Sequence, residues 1–142
     1  MQISPAGIAF IQSNEGFAAH VYEDNGKPAI GYGHDLLPGE SFPNGVTQAE
    51  ATALLDSDLA LVEVTLNGLI PATCTQGQYD ALCDFAYNLG VGALRTMLAH
   101  GWDFVPDQIP LWCHERVNGV ETVNAGLQAR RQAEVQMFNS TA

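Results

Sequence analysis

Basic residues are scarce in this chain: five Lys and Arg stand against sixteen Asp and Glu in 142 residues, a formal net charge of −11. Nucleic-acid binding that works by neutralising phosphates needs the opposite balance, so DNA and RNA are not expected partners. Long apolar runs are absent too. No stretch of about eighteen apolar residues occurs, and membrane insertion is not expected. No positive charge precedes Lys27, so the first residues do not read as a secretory signal. The only cysteines are Cys74, Cys83 and Cys113, an odd number without Cys-x-x-Cys spacing. They read as mostly buried thiols, not as a disulfide framework or a zinc site, with a Cys83–Cys113 bridge left open. Hydrophobic residues make up 46% and charged residues 15%, which excludes a disordered chain, while 14 Gly and 7 Pro are too few for a collagen-like or low-complexity one. One globular domain remains.

What is present has a clear order. Ser4-Pro5 has the form of an N-cap followed by a first-turn proline, and Ile8, Phe10 and Ile11 form a short apolar stripe, which predicts a helix ending at Glu15. From Gly16 to about Pro43, aromatic and β-branched residues alternate with Gly, Asn, Asp and Pro, the composition of a small twisted sheet or hairpin. Thr47-x-x-Glu50 is a capping box, and Leu55, Leu59, Val62 and Leu66 follow at helical spacing. A second box, Thr75-x-x-Gln78, opens a segment whose Tyr79, Leu82, Cys83 and Ala86 share one face, with Gly90 near its end. That segment is the expected central helix. Shorter helices are expected at 93–100 and 109–117, and a last one at 125–138. One helix, a β patch and then several helices is an α+β arrangement with segregated elements, and the cleft between the two parts is the natural place for a ligand.

Two carboxylates flanking a bond can serve as general acid and general base. Glu15 at a helix end and Asp24 in a β/turn stretch are separated by eight residues. With sixteen acids in the chain, such a pair is equally well explained as two solvated surface groups. The glycines of Ile30-Gly31-Tyr32-Gly33-His34 permit a tight turn and close approach of a polymer to the main chain, as they would in any hairpin. His34 reads as a partly buried histidine fixed by a carboxylate.

Taken together, Glu15-Gly16, Tyr22, Asp24 and Ile30-Gly31-Tyr32-Gly33-His34 resemble the active-site signature of phage-type lysozymes, the endolysins of glycoside hydrolase family 24. Gly45-Val46-Thr47-x-x-Glu50-Ala51 is similar to that family's entry into its long interlobe helix. Gln78-Tyr79-Asp80-Ala81-Leu82 with Phe85-Ala86-Tyr87-Asn88-Leu89-Gly90 is similar to its central helix, and Gly126-Leu127-x-x-Arg130-Arg131-x-Ala133-Glu134 to its C-terminal one. The motifs stand in the family's order over about residues 10–138.

The resemblance implies one mainly helical, two-lobed catalytic domain over 1–142: a β-containing lobe at about 16–46, a connecting helix at about 47–67, and a helical lobe from about 1–15 and 68–142. It implies hydrolysis of the β-1,4 bond between N-acetylmuramic acid and N-acetylglucosamine in peptidoglycan, without metal or cofactor and usually with inversion. Glu15 takes the place of the general acid and Asp24 that of the carboxylate on the attacking water. Arg130 takes the place of an arginine that holds the catalytic glutamate, an i,i+4 pair with Glu134 being the plainer alternative. His34 and Asp58 match a structural ion pair across the lobes, and Asn88 a cleft-lining amide. Tyr32 and Trp112 are candidate sugar-stacking rings, although most such aromatics are core. The expected setting is a monomer in the host bacterial cytoplasm that reaches the wall with a separate holin-type permeabilising protein.

The chain also departs from the family pattern. Ala29 stands where a threonine normally precedes Ile30-Gly31, and the loop is one residue short, so counting forward from Glu15 reaches Asp24 while counting back from Ala29 reaches Glu23. Asp24 is preferred because Asp24-Asn25-Gly26 is good turn chemistry. A lysozyme-like wall-binding or morphogenesis module with weakened catalysis is the alternative function. The acidic net charge also opposes long-range attraction to anionic wall polymers.

Overall fold

A capping serine before a proline starts the first helix. In the computed structural model, which describes residues 1–140, α1 spans Pro5–Glu15 and Ser4 Oγ accepts the Gly7 amide at 3.1 Å. Ser4 is held in turn by Asp80, which accepts its backbone N–H at 2.9 Å and also its hydroxyl. Asp80 therefore puts a carboxylate at the positive end of α1 and anchors that end to α3 (Gln76–Leu89). At the other end, Gly16 leaves the helical region at φ +70°, so Glu15 is the last helical residue.

Three antiparallel strands follow in the order β1 (Ala18–Asp24), β2 (Lys27–Gly31) and β3 (His34–Asp35). Asp24 pairs with Lys27, so only Asn25 and Gly26 form the turn, at φ +50° and +81°. Positive φ at both central residues is the type I′ geometry that Asn-Gly accommodates with least strain. Ala29 pairs with Tyr22 on one side and Asp35 on the other, and it is fully buried.

The capping box of α2 (Gln48–Asn67) is closed in both directions: Thr47 Oγ1 accepts the Glu50 amide at 3.1 Å, and Glu50 Oε1 accepts the Thr47 amide at 3.0 Å. The buried face of α2 serves two cores. Ala51 closes a small one with Ile30 and Val46 against the sheet. Leu55, Leu59, Val62 and Leu66 enter a larger one with Tyr79, Leu82 and Phe85 of α3, Leu94 and Met97 of α4 (Val91–Leu98) and Phe138 of α6 (Ala125–Phe138). The helix thus holds the sheet against the helical part by its own stiffness and by two sets of apolar contacts.

The expected helix at 109–117 does not form. A 3-10 turn at Trp102–Phe104 and α5 (Val105–Gln108) lead into a second 3-10 turn at Ile109–Leu111, after which β4 (His114–Val117) pairs with β5 (Val120–Val123). Asn118 and Gly119, at φ +52° and +78°, repeat the type I′ turn between Val117 and Val120. An Asn-Gly pair flanked by β-branched residues outweighs the short apolar periodicity before it. All three cysteines are free thiols, so the Cys83–Cys113 bridge left open by the sequence does not exist.

His34 stitches the sheet to α2. Its Nδ1 lies 2.7 Å from Asp58 Oδ2 and its Nε2 lies 2.8 Å from Glu40 Oε1. Glu40, which the sequence did not single out, also accepts the Leu37 amide at 2.7 Å. Both ring nitrogens face carboxylate oxygens, so both donate only when the ring is the imidazolium. Burial opposes that charge, but the bonds to Asp58 and Glu40 outweigh it and raise the His34 pKa above 6.5. Burial also raises the Asp58 carboxyl, whereas the Leu37 amide and then His34 hold Glu40 low, so the ring keeps an ionised partner. A raised histidine pKa stabilises the fold fully below the unfolded value near 6.5 and loses this contribution as pH rises through the folded value. Thermal unfolding of the wild type and His34→Gln across pH 5 to 9 is expected to show a stability gap of about 2 kcal/mol at the acidic end that shrinks toward the alkaline end.

Candidate active site

The end of α1 delivers Glu15 to the boundary between sheet and helices. Its side chain is 18% exposed, and Oε1 accepts Nη1 of Arg130 at 2.8 Å. Its other oxygen rests against the β2–β3 turn. A Cβ added to Gly33, which sits at φ +80°, would lie 2.8 Å from Glu15 Oε2. Glycine is required there on both counts, which gives the second glycine of the Ile30-to-His34 motif a specific job. Burial pushes the Glu15 carboxyl above its ordinary value, Arg130 pulls it down, and the charges of Asp84 and Asp24 add to the upward push.

Arg130 is nearly buried and makes a three-way contact. Its Nε and Nη2 donate to Asp84 Oδ2 and Oδ1 at 2.9 and 2.8 Å, leaving Nη1 for Glu15. The alternative i,i+4 pair with Glu134 is absent: Glu134 belongs to Arg131. Asp84 was not foreseen. The one available signal was an acid in the middle of a helix, flanked directly by the apolar Cys83 and Phe85.

Glu15 and Arg130 line a cavity of about 440 Å³ together with Asp24, Asn25 and Asn88. Asn14, Glu115 of β4, and Asn124, Gly126 and Leu127 at the start of α6 complete it. Asp24, the last residue of β1, therefore shares the cavity with Glu15, whereas Glu23 is exposed and not part of its lining. The period-2 geometry of a strand, fixed in register by the Asn25-Gly26 turn, separates these neighbours. Asn88 faces the cavity with its carbonyl oxygen taken by Arg131 Nη2 at 2.8 Å, so its NH2 end is the part available to a ligand.

The two candidate rings lie elsewhere. Tyr32 is half-buried and leans on Phe17, with centroids 5.6 Å apart, and its carbonyl accepts the Tyr87 hydroxyl at 2.6 Å. Trp112 packs edge-on to Phe85 at 5.7 Å and borders a separate cavity with Leu111, His114 and Glu121.

Behind the cavity wall, Arg131 and Glu134 are both fully buried, with Nη2 to Oε1 at 2.7 Å. The Arg131 guanidinium also lies 5.2 Å from the centre of the Phe85 ring. Burial pushes the Glu134 carboxyl up, against the pull of Arg131. Arg131 Nε and Nη1 and Glu134 Oε2 are buried without a partner among the described residues.

A half-buried carboxyl with a raised pKa and a second carboxylate across a polar cavity, set between a sheet and a helical lobe, define a hydrolase of the lysozyme class. The family described as phage lysozyme matches residues 12–134. An endolysin of Acyrthosiphon pisum secondary endosymbiont phage 1 is 34% identical over 149 residues, covering 99% of each chain. Among solved structures, the endolysin from Escherichia coli O157:H7 phage FAHEc1 superposes with a TM-score of 0.87 at 28% identity, covering 100% of this chain and 96% of that one. The muramidase domain of SpmX from Asticaccaulis excentricus superposes with a TM-score of 0.85 at 32% identity, covering 98% of each. The chain belongs to the phage lysozyme family.

Removing one member of a buried ion pair strands the other. Glu134→Ala is accordingly expected to lower the unfolding free energy by about 3–5 kcal/mol, read from urea denaturation of the variant against the wild type.

Proposed function

We infer that the chain is a peptidoglycan-hydrolysing muramidase of the endolysin kind. It cleaves the β-1,4 bond between N-acetylmuramic acid and N-acetylglucosamine. Glu15 donates its proton to the glycosidic oxygen as the bond to the muramic acid breaks. Asp24 takes a proton from the water that attacks the sugar carbon, and solvent then returns both carboxyls to their starting states. One observation carries this reading. The Glu15 carboxyl is desolvated, fixed by Arg130 and shares its cavity with Asp24. A raised pKa keeps an acid protonated closer to neutral pH, which is what proton donation demands.

Arg130 holds the Glu15 carboxyl in place, and the Asn88 NH2 orients a sugar amide or hydroxyl. Ala29 offers no hydroxyl to the water, and the neutral polar side chains lining the cavity are those of Asn14, Asn25, Asn88 and Asn124.

Purified wild type on peptidoglycan, with mass spectrometry of the released fragments, is expected to yield reducing-end N-acetylmuramic acid. Glu15→Gln and Asp24→Asn are each expected to lose a factor of about 10² to 10⁴ in rate, with Glu23→Gln within a few-fold of wild type. An anhydro-sugar product, or full activity in Glu15→Gln, would overturn the assignment, and wall binding without release would leave the binding-module reading in its place.

Among the described residues no helix is long and apolar enough to cross a membrane. We place the protein as a monomer in the host cytoplasm, reaching the wall with a holin-type permeabilising protein; the support is the family resemblance. Cells expressing the chain are expected to stay turbid until chloroform opens the inner membrane and then to clear. Clearing before chloroform is added would refute this dependence.

A further inference from the structure

One buried carboxylate at the site takes no part in the acid–base steps. Asp84 lies within α3, is 0% exposed, and engages Arg130 through both oxygens. Burying a second charge is unfavourable, and an amide side chain would accept one of those N–H groups at less desolvation cost. The ion therefore has a consequence that its hydrogen bonds alone do not explain.

A guanidinium within hydrogen-bond distance favours the ionised form of a carboxyl, lowering its pKa by about 1–3 units when nothing opposes it. That is the wrong direction for a group that must hold a proton. Three charged groups bear on Glu15 from three elements: Arg130 of α6, Asp84 of α3 and Asp24 of β1. The β2–β3 turn at Gly33 brings no charge. Glu115 of β4 lines the same cavity, and behind it Arg131 and Glu134 are bonded to each other and both face Asp84.

We propose that Asp84 is a positioning residue for Glu15: acting through Arg130, it aims one N–H at the Glu15 carboxyl and cancels the guanidinium charge that would otherwise keep that carboxyl ionised. The inference rests on Glu15 being the proton donor. The fork geometry performs both tasks at once. Two N–H groups are spent on Asp84, which fixes the plane of the guanidinium, and the third points along the remaining edge to Glu15 Oε1. The donor remains as a geometric clamp while the net charge of the Arg130–Asp84 unit is near zero. The upward push of Asp84 on Glu15 agrees with this sense.

The test is the pH dependence of kcat/KM on soluble glycan strands for wild type, Asp84→Asn, Arg130→Gln and the double variant, with folding checked by circular dichroism. The alkaline limb reports ionisation of the acid in the free enzyme. In Asp84→Asn it is expected to move down by about one pH unit or more, with KM within about twofold of wild type. In Arg130→Gln the stranded Asp84 charge is expected to move it up. In the double variant, where both charges are gone, it is expected to return toward the wild-type position. A purely structural role predicts loss of amplitude without this order. An Asp84→Asn limb that coincides with wild type overturns the proposal. Should that variant not fold, the proposal stands only if the limb of Arg130→Gln lies above that of the double variant, and it is overturned if the two coincide. Wild-type activity with a Glu15-dependent limb indifferent to Asp84 overturns this inference alone. Full activity in Glu15→Gln overturns it together with the reading of Glu15 as the proton donor.

Discussion

The contact between Glu15, Arg130 and Asp84 joins the end of α1 and the middles of α3 and α6 at one guanidinium. Each charge there is largely withdrawn from water, so each needs the others. The helices are held in the relation that lets this happen. Asp80 on α3 caps the first turn of α1, while Asp84 one turn further along the same helix holds the arginine that meets the last residue of α1. One helix thus constrains both ends of another, and the carboxyl that faces the cavity is positioned by backbone rigidity as much as by its own hydrogen bond.

The second constraint is the attachment of the sheet. Asp24 belongs to the sheet and Glu15 to a helix, so their relation depends on α2, whose buried face supplies Ala51 to one core and Leu55 to Leu66 to the other. His34, bonded to Asp58 and Glu40, reinforces the same joint from the sheet side. Apolar contacts along α2 are non-directional and set the approach distance; the His34 hydrogen bonds are directional and set orientation. An acidic chain can tolerate this because the buried carboxylates of the site wall, Asp84 and Glu134, are matched to Arg130 and Arg131.

Much of this was readable residue by residue. Ser4-Pro5, the two capping boxes and Gly16 mark helix ends through bonds spanning three or four residues, and the structure has them where that chemistry puts them. The Asn25-Gly26 turn was legible for the same reason. The hairpin of β4 and β5 carries an identical Asn-Gly signal at Asn118-Gly119, and a turn with a steric requirement for positive φ prevails over the few apolar residues at helical spacing before it. Trp112, a candidate ring in the sequence, packs against Phe85 and borders a cavity separate from that of Glu15.

Local order is therefore written into neighbouring residues, because caps, turns and amphipathic stripes are decided by atoms a few bonds apart along the chain. Which charges meet is decided otherwise. Glu15 and Arg130 are 115 positions apart, and Arg130 and Asp84 are 46 apart, so no spacing rule distinguishes them from the other acids and bases. Only packing brought them together and excluded water, and it is that exclusion, absent from any linear pattern, that raises the Glu15 carboxyl above its ordinary value.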